Sequence, residues 1–480
     1  MDWPQTISRF WPHLVAGFGS LAALLASIHV LLHKRDSRAA ALWIGLIWLL
    51  PVLGPMFYLV LGINRIRRRA ISLGLHKIIS RPIPGDLGEA QPVEAQHLQQ
   101  LAHAVGHVVA QPLTPGNHIQ PLVDGDEAFP AMVAAIESST RSIALATYIF
   151  DNDPSGKQFA DALGRAVKRG VAVRVLLDAA GTHYSWPSVT HRLKHAHIPF
   201  AIFLPAPVFM PWRVTTINLR NHRKLLVVDG QRAFTGGMNI RHDNVLADHP
   251  KGAVQDLQFH VKGPVVTRLQ EVFANDWAFT TGEILHDDIW FPELKECGKV
   301  VARVITDGPD GDFEKLRWTL LAALAEAQTS VQIVTPYFLP DTALVTALNL
   351  AALRGVCVDI LLPSKNNLPF VHWASRAMWW QVLERGCRLW LTPPPFDHSK
   401  LMIVDGHWIL LGSANWDARS LQLNFELNVE CYGHGFAGEM EAVIQRKLRG
   451  AHEVTLAEVN TWSLPAKLRD AIARLFSPYL

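Results

Sequence analysis

The stretch HRKLLVVDGQRAFTGGMN, residues 222–239, returns 176 positions later (398 − 222) as HSKLMIVDGHWILLGSAN, residues 398–415. Both copies place five residues at the same offsets: His222, Lys224, Asp229, Gly236 and Asn239, then His398, Lys400, Asp405, Gly412 and Asn415. A single His or Lys is ordinarily a solvated side chain, but five matched positions, one set in each half, mark a duplicated unit. The apolar runs LLVV and LMIV, each closed by Asp-Gly, predict buried strands that end in tight turns. Residues i and i+2 of a strand point the same way, so each copy offers an imidazole and an ammonium side by side. Asp229 and Asp405 fall five positions past the Lys and directly before Gly, which suits holding the turn or bonding nearby backbone. Gly236 and Gly412 open the backbone to close approach, and Asn239 and Asn415 can donate an amide hydrogen to an anion.

Two such halves facing each other gather two His, two Lys and two Asn around one point, which is a phosphate site. One His attacks phosphorus while the other protonates the leaving oxygen, and the roles reverse in a second step. Asp256 in AVQDLQFHVKGP and Glu426 in SLQLNFELN follow the two motifs on alternating stretches. A carboxylate on the far ring nitrogen would fix the tautomer and orientation of each His. The alternative for both acids is an ordinary solvent-facing strand position.

The repeat reaches further. SIALATYIF (142–150) matches SVQIVTPYF (330–338), and KRGVAVRVLLD (168–178) matches LRGVCVDILLP (353–363), with amphipathic helical stretches at 156–169 and 341–354 between them. Each half is therefore strand–helix–strand followed by a motif-bearing strand. The expectation is an α/β fold with pseudo-twofold symmetry: two mixed, mostly parallel sheets, flanking helices, and the active site at the seam.

Composition permits a soluble protein, with 49% hydrophobic residues and net charge +3, but the distribution does not. Residues 14–32 and 39–63 are apolar and free of Asp, Glu, Lys and Arg, each long enough to span ~30 Å of hydrocarbon. A second span follows the first at once, which disfavours a signal peptide. Pro51, Gly54 and Pro55 interrupt the second span, so a kinked or re-entrant segment is also open. Arg65, Arg67, Arg68 and Arg69 after it lean toward a cytoplasmic catalytic part. The expected divisions are 1–69 membrane hairpin, 70–116 linker with a short amphipathic helix, 117–300 first half and 301–480 second half. The four Cys stand apart with no CxxC pair, which fits buried free thiols in a reducing compartment rather than zinc or disulfides. FLPAPVFMPW (203–212), FVHWASRAMWW (370–380) and the C-terminal LPAKLRDAIARLFSPYL are each either an interfacial or lipid-path segment or ordinary packed structure.

These motifs resemble the phospholipase D superfamily, whose signature is the duplicated HxKxxxxD pattern. More narrowly, RAAALWIGLIWLLPVLGPMFYLVLGINRIRRR, TGGMNI, TPYFLPDTAL and LGSANWDARSLQLNFELN are similar to successive blocks of bacterial cardiolipin synthases, and the resemblance runs nearly end to end. It implies phosphatidyl transfer without a metal or other cofactor. In the usual form one phosphatidylglycerol donates to a second, in the bacterial inner (cytoplasmic) membrane, through a multi-pass enzyme. It also implies that His222 forms a phosphohistidine and His398 acts as acid and then base, a pair of roles that sequence symmetry would let exchange. Lys224, Lys400, Asn239 and Asn415 would hold the phosphate, with Asp229 and Asp405 completing the catalytic signature. Ser413, where the first copy has Gly237, would add a substrate-binding hydroxyl. Phosphatidylethanolamine is the other candidate acceptor. The rival activities are a hydrolytic phospholipase D, a superfamily nuclease and an inactive membrane scaffold. A net charge of +3 over 480 residues with no basic stripe argues against a nucleic-acid partner. Two intact motifs argue against the scaffold.

Overall fold

The uncharged apolar run at 14–32 lies in helix α1 (Trp3–His33), whose segment Val15–His33 is the one described helical stretch long and apolar enough to cross a membrane. The computed structural model describes residues 3–34, 37–62, 93–205, 219–248, 252–309 and 311–477, and the chain divides into the units Met1–Arg69 and Ala70–Leu480. In the first unit Ala23, Ala26 and Val30 of α1 pack with Ala40 and Ile47 of α2 (Ser37–Leu49), the small side chains letting the helices approach. Leu21, Leu24, Leu25, Ile28, Leu31 and Leu32 face outward and exposed, the inverse of a water-soluble helix pair. The second apolar stretch, 39–63, takes the interrupted form that its prolines left open. The chain turns through Leu50–Val52 at Pro51, resumes as α3 (Leu53–Phe57) and ends in a π turn, Tyr58–Gly62. Proline has no N–H for the helical ladder and clashes with the preceding turn, so the apolar run cannot continue as one rod. The arginines at 65–69, the 70–92 stretch and residues 206–212 of the first aromatic segment lie outside the described residues.

The amphipathic stretch near residue 100 forms α4 (Gln99–Val109), which buries Leu101, Ala102, Val105 and Val109 in the core of the second half. The first half runs through β1 (Thr114–Val123), β2 (Ser142–Thr147), α5 (Pro154–Lys168), β3 (Ala172–Asp178), β4 (Phe200–Phe203), β5 (Leu225–Val228), β6 (Arg232–Gly236), β7 (Leu257–Lys262) and α6 (Val265–Thr281). The second repeats it with β8 (Val300–Asp307), α7 (Lys315–Glu326), β9 (Ser330–Val334), α8 (Thr342–Leu353), β10 (Cys357–Pro363), α9 (Pro369–Leu383), β11 (Arg388–Thr392), β12 (Leu401–Val404), β13 (Trp408–Gly412), β14 (Asn424–Tyr432), α10 (His434–Leu448) and β15 (His452–Val454). Helix starts are set locally: the Asp153 carboxylate accepts from the Gly156 N–H with Pro154 next in line, and Asp341 accepts from Ala343 and Leu344.

The strands form one path, β15–β11–β10–β9–β12–β13–β14–β8–β1–β7–β6–β5–β2–β3–β4, which reads the same outward from the β8–β1 seam until β15. The mixed, duplicated sheet is as expected, with one correction to its sense. Along this path only the strand–helix–strand units pair in parallel, β2–β3–β4 and β9–β10–β11, beside two short parallel pairings where the halves cross, 220–221 with 424–425 and 254–255 with 396–397. The motif hairpins and the seam are antiparallel, because an Asp-Gly turn returns the chain directly beside itself. Each half has its own apolar core. The thiols are all free, but Cys297 and Cys357 are exposed rather than buried.

Candidate active site

In both motif hairpins the turn residues hold left-handed backbone: Asp229 and Gly230 at φ 55° and 65°, Asp405 and Gly406 at 52° and 61°. Those are the angles of a type I′ turn, which the Asp-Gly pair tolerates. The Asp229 carboxylate accepts the backbone N–H groups of Thr140, Arg141 (2.7 Å) and Ser142, and Asp405 those of Gln328, Thr329 (2.7 Å) and Ser330. Asp405 also meets the His97 ring at 2.8 Å. Both acids therefore tie the far end of the hairpin to the start of β2 or β9. Their grouping with the catalytic residues is corrected to a structural role: neither lines the cavity below.

At the other end of each hairpin the chain crosses to the opposite half. The His222 N–H donates to the Phe425 carbonyl (2.9 Å), and the His398 N–H to that of Gln255 (2.8 Å). The crossing brings the two histidines to one cavity of about 430 Å³, lined also by Asn239, Asn415, Tyr148 and Tyr337. It also swaps their partners. His222 Nδ1 lies 3.0 Å from both oxygens of Glu426 in the second half, and His398 Nδ1 lies 2.9 Å from Asp256 in the first. With Nδ1–H donated to a carboxylate, each Nε2 keeps its lone pair.

Burial pushes both imidazoles down to about 4, with Lys224 and Lys400 adding to the effect, so the rings are neutral near pH 7. Burial likewise lowers Lys224 to about 7 and Lys400 to about 8. Burial drives the Glu426 carboxyl up, but His222, Lys224 and the Ser413 hydroxyl together hold it below its ordinary value. Lys224 Nζ donates to the His222 carbonyl (2.6 Å), and Lys400 Nζ to that of His398. Both ammonium groups thus sit buried behind the imidazoles.

Ser413 is not where the sequence puts it. Its hydroxyl donates to Glu426 (2.5 Å) and accepts from the Leu427 N–H (3.0 Å), away from the cavity lining, so a substrate-binding hydroxyl is corrected to support of the His222–Glu426 pair. The first half has no room for its counterpart, since a Cβ on Gly237 would collide with the Asp256 carboxylate. Gly236 and Gly412, both at φ 154°, would drive a Cβ into the carbonyls of Leu257 and Leu427.

Several site groups escaped sequence reasoning. Tyr148 meets the His222 ring edge-on at 5.1 Å and lies under the Lys224 ammonium at 5.4 Å, while Tyr337 lies 6.3 Å from the His398 ring. They stand one position out of register in the repeat, which hid the match. Behind each carboxylate is a further acid. Asp124 Oδ1 accepts from the Asp256 N–H (2.9 Å), and Asp307 faces Glu426 across β8–β14. Burial raises Asp124 to about 6 and Asp307 well above its ordinary value. Asp124-Gly125 and Asp307-Gly308 form a repeat legible in the sequence. Buried ion pairs brace both entry strands with opposite polarity: Arg223 to Asp276 on α6 (2.5 Å), and Asp397 to Lys447 on α10 (2.8 Å).

Two carboxylate-held imidazoles facing one cavity at the seam of a duplicated mixed sheet are the arrangement of the phospholipase D-like class. Residues 132–277 and 320–448 match the family model described as cardiolipin synthase, PLD-like domain, and residues 21–62 match the phospholipase D–nuclease N-terminal model. The chain belongs to the cardiolipin synthase family of the phospholipase D superfamily. It is 31% identical over 470 residues to a cardiolipin synthase of Geobacillus sp. (strain WCH70), covering 96% of this chain and 93% of that one. It is 30% identical over 483 residues to the major cardiolipin synthase ClsA of Bacillus subtilis (strain 168), covering 97% and 99%. Among solved structures, phosphatidylserine synthase of Haemophilus influenzae Rd KW20 shares the fold at TM-score 0.62 and 14% identity, over 79% of this chain and 100% of that one.

Proposed function

We propose that the chain is a membrane-associated cardiolipin synthase, a phosphatidyltransferase that joins two phosphatidylglycerol molecules and releases glycerol. The observation that carries the mechanism is the crossed pair of imidazole–carboxylate couples around one cavity. His222 Nε2 attacks the phosphorus of the first lipid, and the bond to its glycerol headgroup breaks as His398, neutral in the free enzyme and protonated on Nε2 beside the bound phosphodiester anion, gives that oxygen its proton. The phosphorylated His222 ring, still bearing Nδ1–H, is cationic, and Glu426 offsets that charge. His398, now neutral, takes the proton of a headgroup hydroxyl on the second lipid. That oxygen attacks phosphorus, cardiolipin leaves and His222 is restored. Asn239 and Asn415 orient the phosphoryl oxygens, and Lys224 and Lys400 supply the compensating charge.

The halves 117–300 and 301–480 act as one catalytic unit, since each histidine draws its carboxylate from the other. Residues 1–69 anchor it as a multi-pass hairpin, with the broken second element inserted beside α1. The basic run at 65–69 favours catalysis on the cytoplasmic side, and the chain from residue 70 up to α4 connects anchor and enzyme.

The test is product analysis of purified full-length protein in detergent–lipid micelles of phosphatidylglycerol, beside His222→Ala. Cardiolipin and glycerol, absent from the variant, are expected. Phosphatidic acid without cardiolipin would instead assign a hydrolytic phospholipase D.

A further inference from the structure

The last helix of the described chain, α11 (Leu464–Arg474), is amphipathic the wrong way round for a protein in water. Its packed face holds Asp470, 1% exposed, and Ala473. Its outward face carries Leu464, Leu468 and Ile472, 68%, 54% and 57% exposed, and the stripe continues into Leu475 and Phe476. Inversion of this kind is stable in water only at a cost, and a contiguous apolar strip marks a surface that meets an apolar partner.

The helix cannot turn the strip inward. Asp470 is held by Arg376 of α9 (3.2 Å) and by Arg469 (2.6 Å), Arg469 lies over the Trp373 ring at 4.6 Å, and Phe476 meets Phe370 at 5.6 Å. The buried charges thus fix the rotation of α11 with its leucines outward. At about 100° per residue, Lys467 and Arg474 flank the strip on one side and Arg469 on the other. The helix's one acid is the buried Asp470. Apolar face, cationic flanks and no exposed acid are the pattern of a helix lying in the headgroup region of an anionic bilayer, its basic side chains reaching up to phosphates. The strip is also continuous with the active-site mouth: exposed Phe370 and Leu368 adjoin it at the start of α9, and Leu368 and Val371 line the cavity.

We infer that α11 and the start of α9 form a bilayer-docking surface that seats the catalytic unit on anionic lipid with its cavity at the headgroup level. A lipid substrate then passes from bilayer to site along an apolar rim without its acyl chains crossing water. This rests on the proposed lipid-to-lipid transfer.

The test uses full-length protein and two forms of phosphatidylglycerol: long-chain lipid in vesicles, and a short-chain form kept monomeric below its micelle concentration. Leu468→Glu with Ile472→Glu should lower the ratio of vesicle rate to monomer rate at least ten-fold, and Leu468→Trp with Ile472→Trp should restore it. An unchanged ratio overturns the proposal, and so does a parallel loss on both substrates, which would assign the strip to folding. Independently of activity, a fluorophore on Leu468→Cys in a Cys297→Ser, Cys357→Ser background should be quenched by doxyl-labelled lipid in nanodiscs and shielded from aqueous iodide. The reverse pattern overturns the docking surface. A wild-type protein that makes no cardiolipin from either substrate overturns the synthase reading, while the quenching result stands or falls by itself.

Discussion

Replacing Glu426 by Gln keeps the shape of the buried site and removes one charge. Glu426 is 0% exposed and accepts from His222 Nδ1 (3.0 Å), Ser413 Oγ (2.5 Å) and Asn424 Nδ2 (3.1 Å). A glutamine can still accept from Nδ1–H with its oxygen while its NH₂ faces Ser413, whose hydroxyl rotates. The tautomer of His222 therefore survives, and the lost quantity is attraction between a carboxylate and the cationic phospho-imidazole. Opposite unit charges ~4 Å apart at an effective dielectric of ~20 attract by about 4 kcal/mol, and a neutral hydrogen bond returns roughly 1 kcal/mol of it. The net loss of about 3 kcal/mol corresponds to roughly a 10²-fold fall in kcat, with KM little changed. The assay is initial-rate cardiolipin formation in phosphatidylglycerol micelles, alongside thermal unfolding to verify the fold. A Glu426→Gln enzyme within three-fold of wild type would refute the assignment of Glu426 as the carboxylate that stabilises charged His222.

Ser413→Ala removes one hydrogen bond to Glu426 and should cost about 1 kcal/mol, some five-fold in kcat; a rise in KM at constant kcat would return Ser413 to the substrate. Rapid quenching of the wild-type enzyme during turnover should trap an acid-labile phosphatidyl adduct on His222, seen by mass spectrometry, and His398→Ala should form it far more slowly; an adduct on no histidine of the wild type would exclude the covalent route. With Lys224 near 7 and Lys400 near 8, the positive charge that binds phosphate is present below those values and is lost as pH rises through them. The expectation is that kcat/KM falls as pH rises from about 7 through about 8, and an alkaline limb that persists unchanged in the double variant Lys224→Arg, Lys400→Arg would place its origin elsewhere. Asp405→Ala removes an acceptor shared by three backbone N–H groups and should destabilise the fold by roughly 2–3 kcal/mol in urea unfolding, with kcat of the folded protein preserved.

The sequence by itself determined the duplication, the strand-and-turn character of each motif, the roles of Asp229 and Asp405 at the turns and the two histidines that meet at the cavity, and it named Asp256 and Glu426 as candidate partners for them. All of these are local: periodicity, an Asp-Gly pair and matched offsets are written within a few residues. It also carried the Asp124 and Asp307 signal, unread because Asp-Gly pairs are common at turns. The tertiary structure alone decided which carboxylate serves which histidine, since His222 and Glu426 stand 204 positions apart and His398 and Asp256 142. In the sequence either acid follows its motif on an alternating stretch, and only the crossing of the two halves at Phe425 and Gln255 chooses between them. The same holds for Ser413, whose hydroxyl direction follows from the depth of Glu426. It holds most for α11: its pattern of leucines and arginines fits burial or a membrane equally, and the choice is made by Asp470, whose partners on α9 turn the leucines outward.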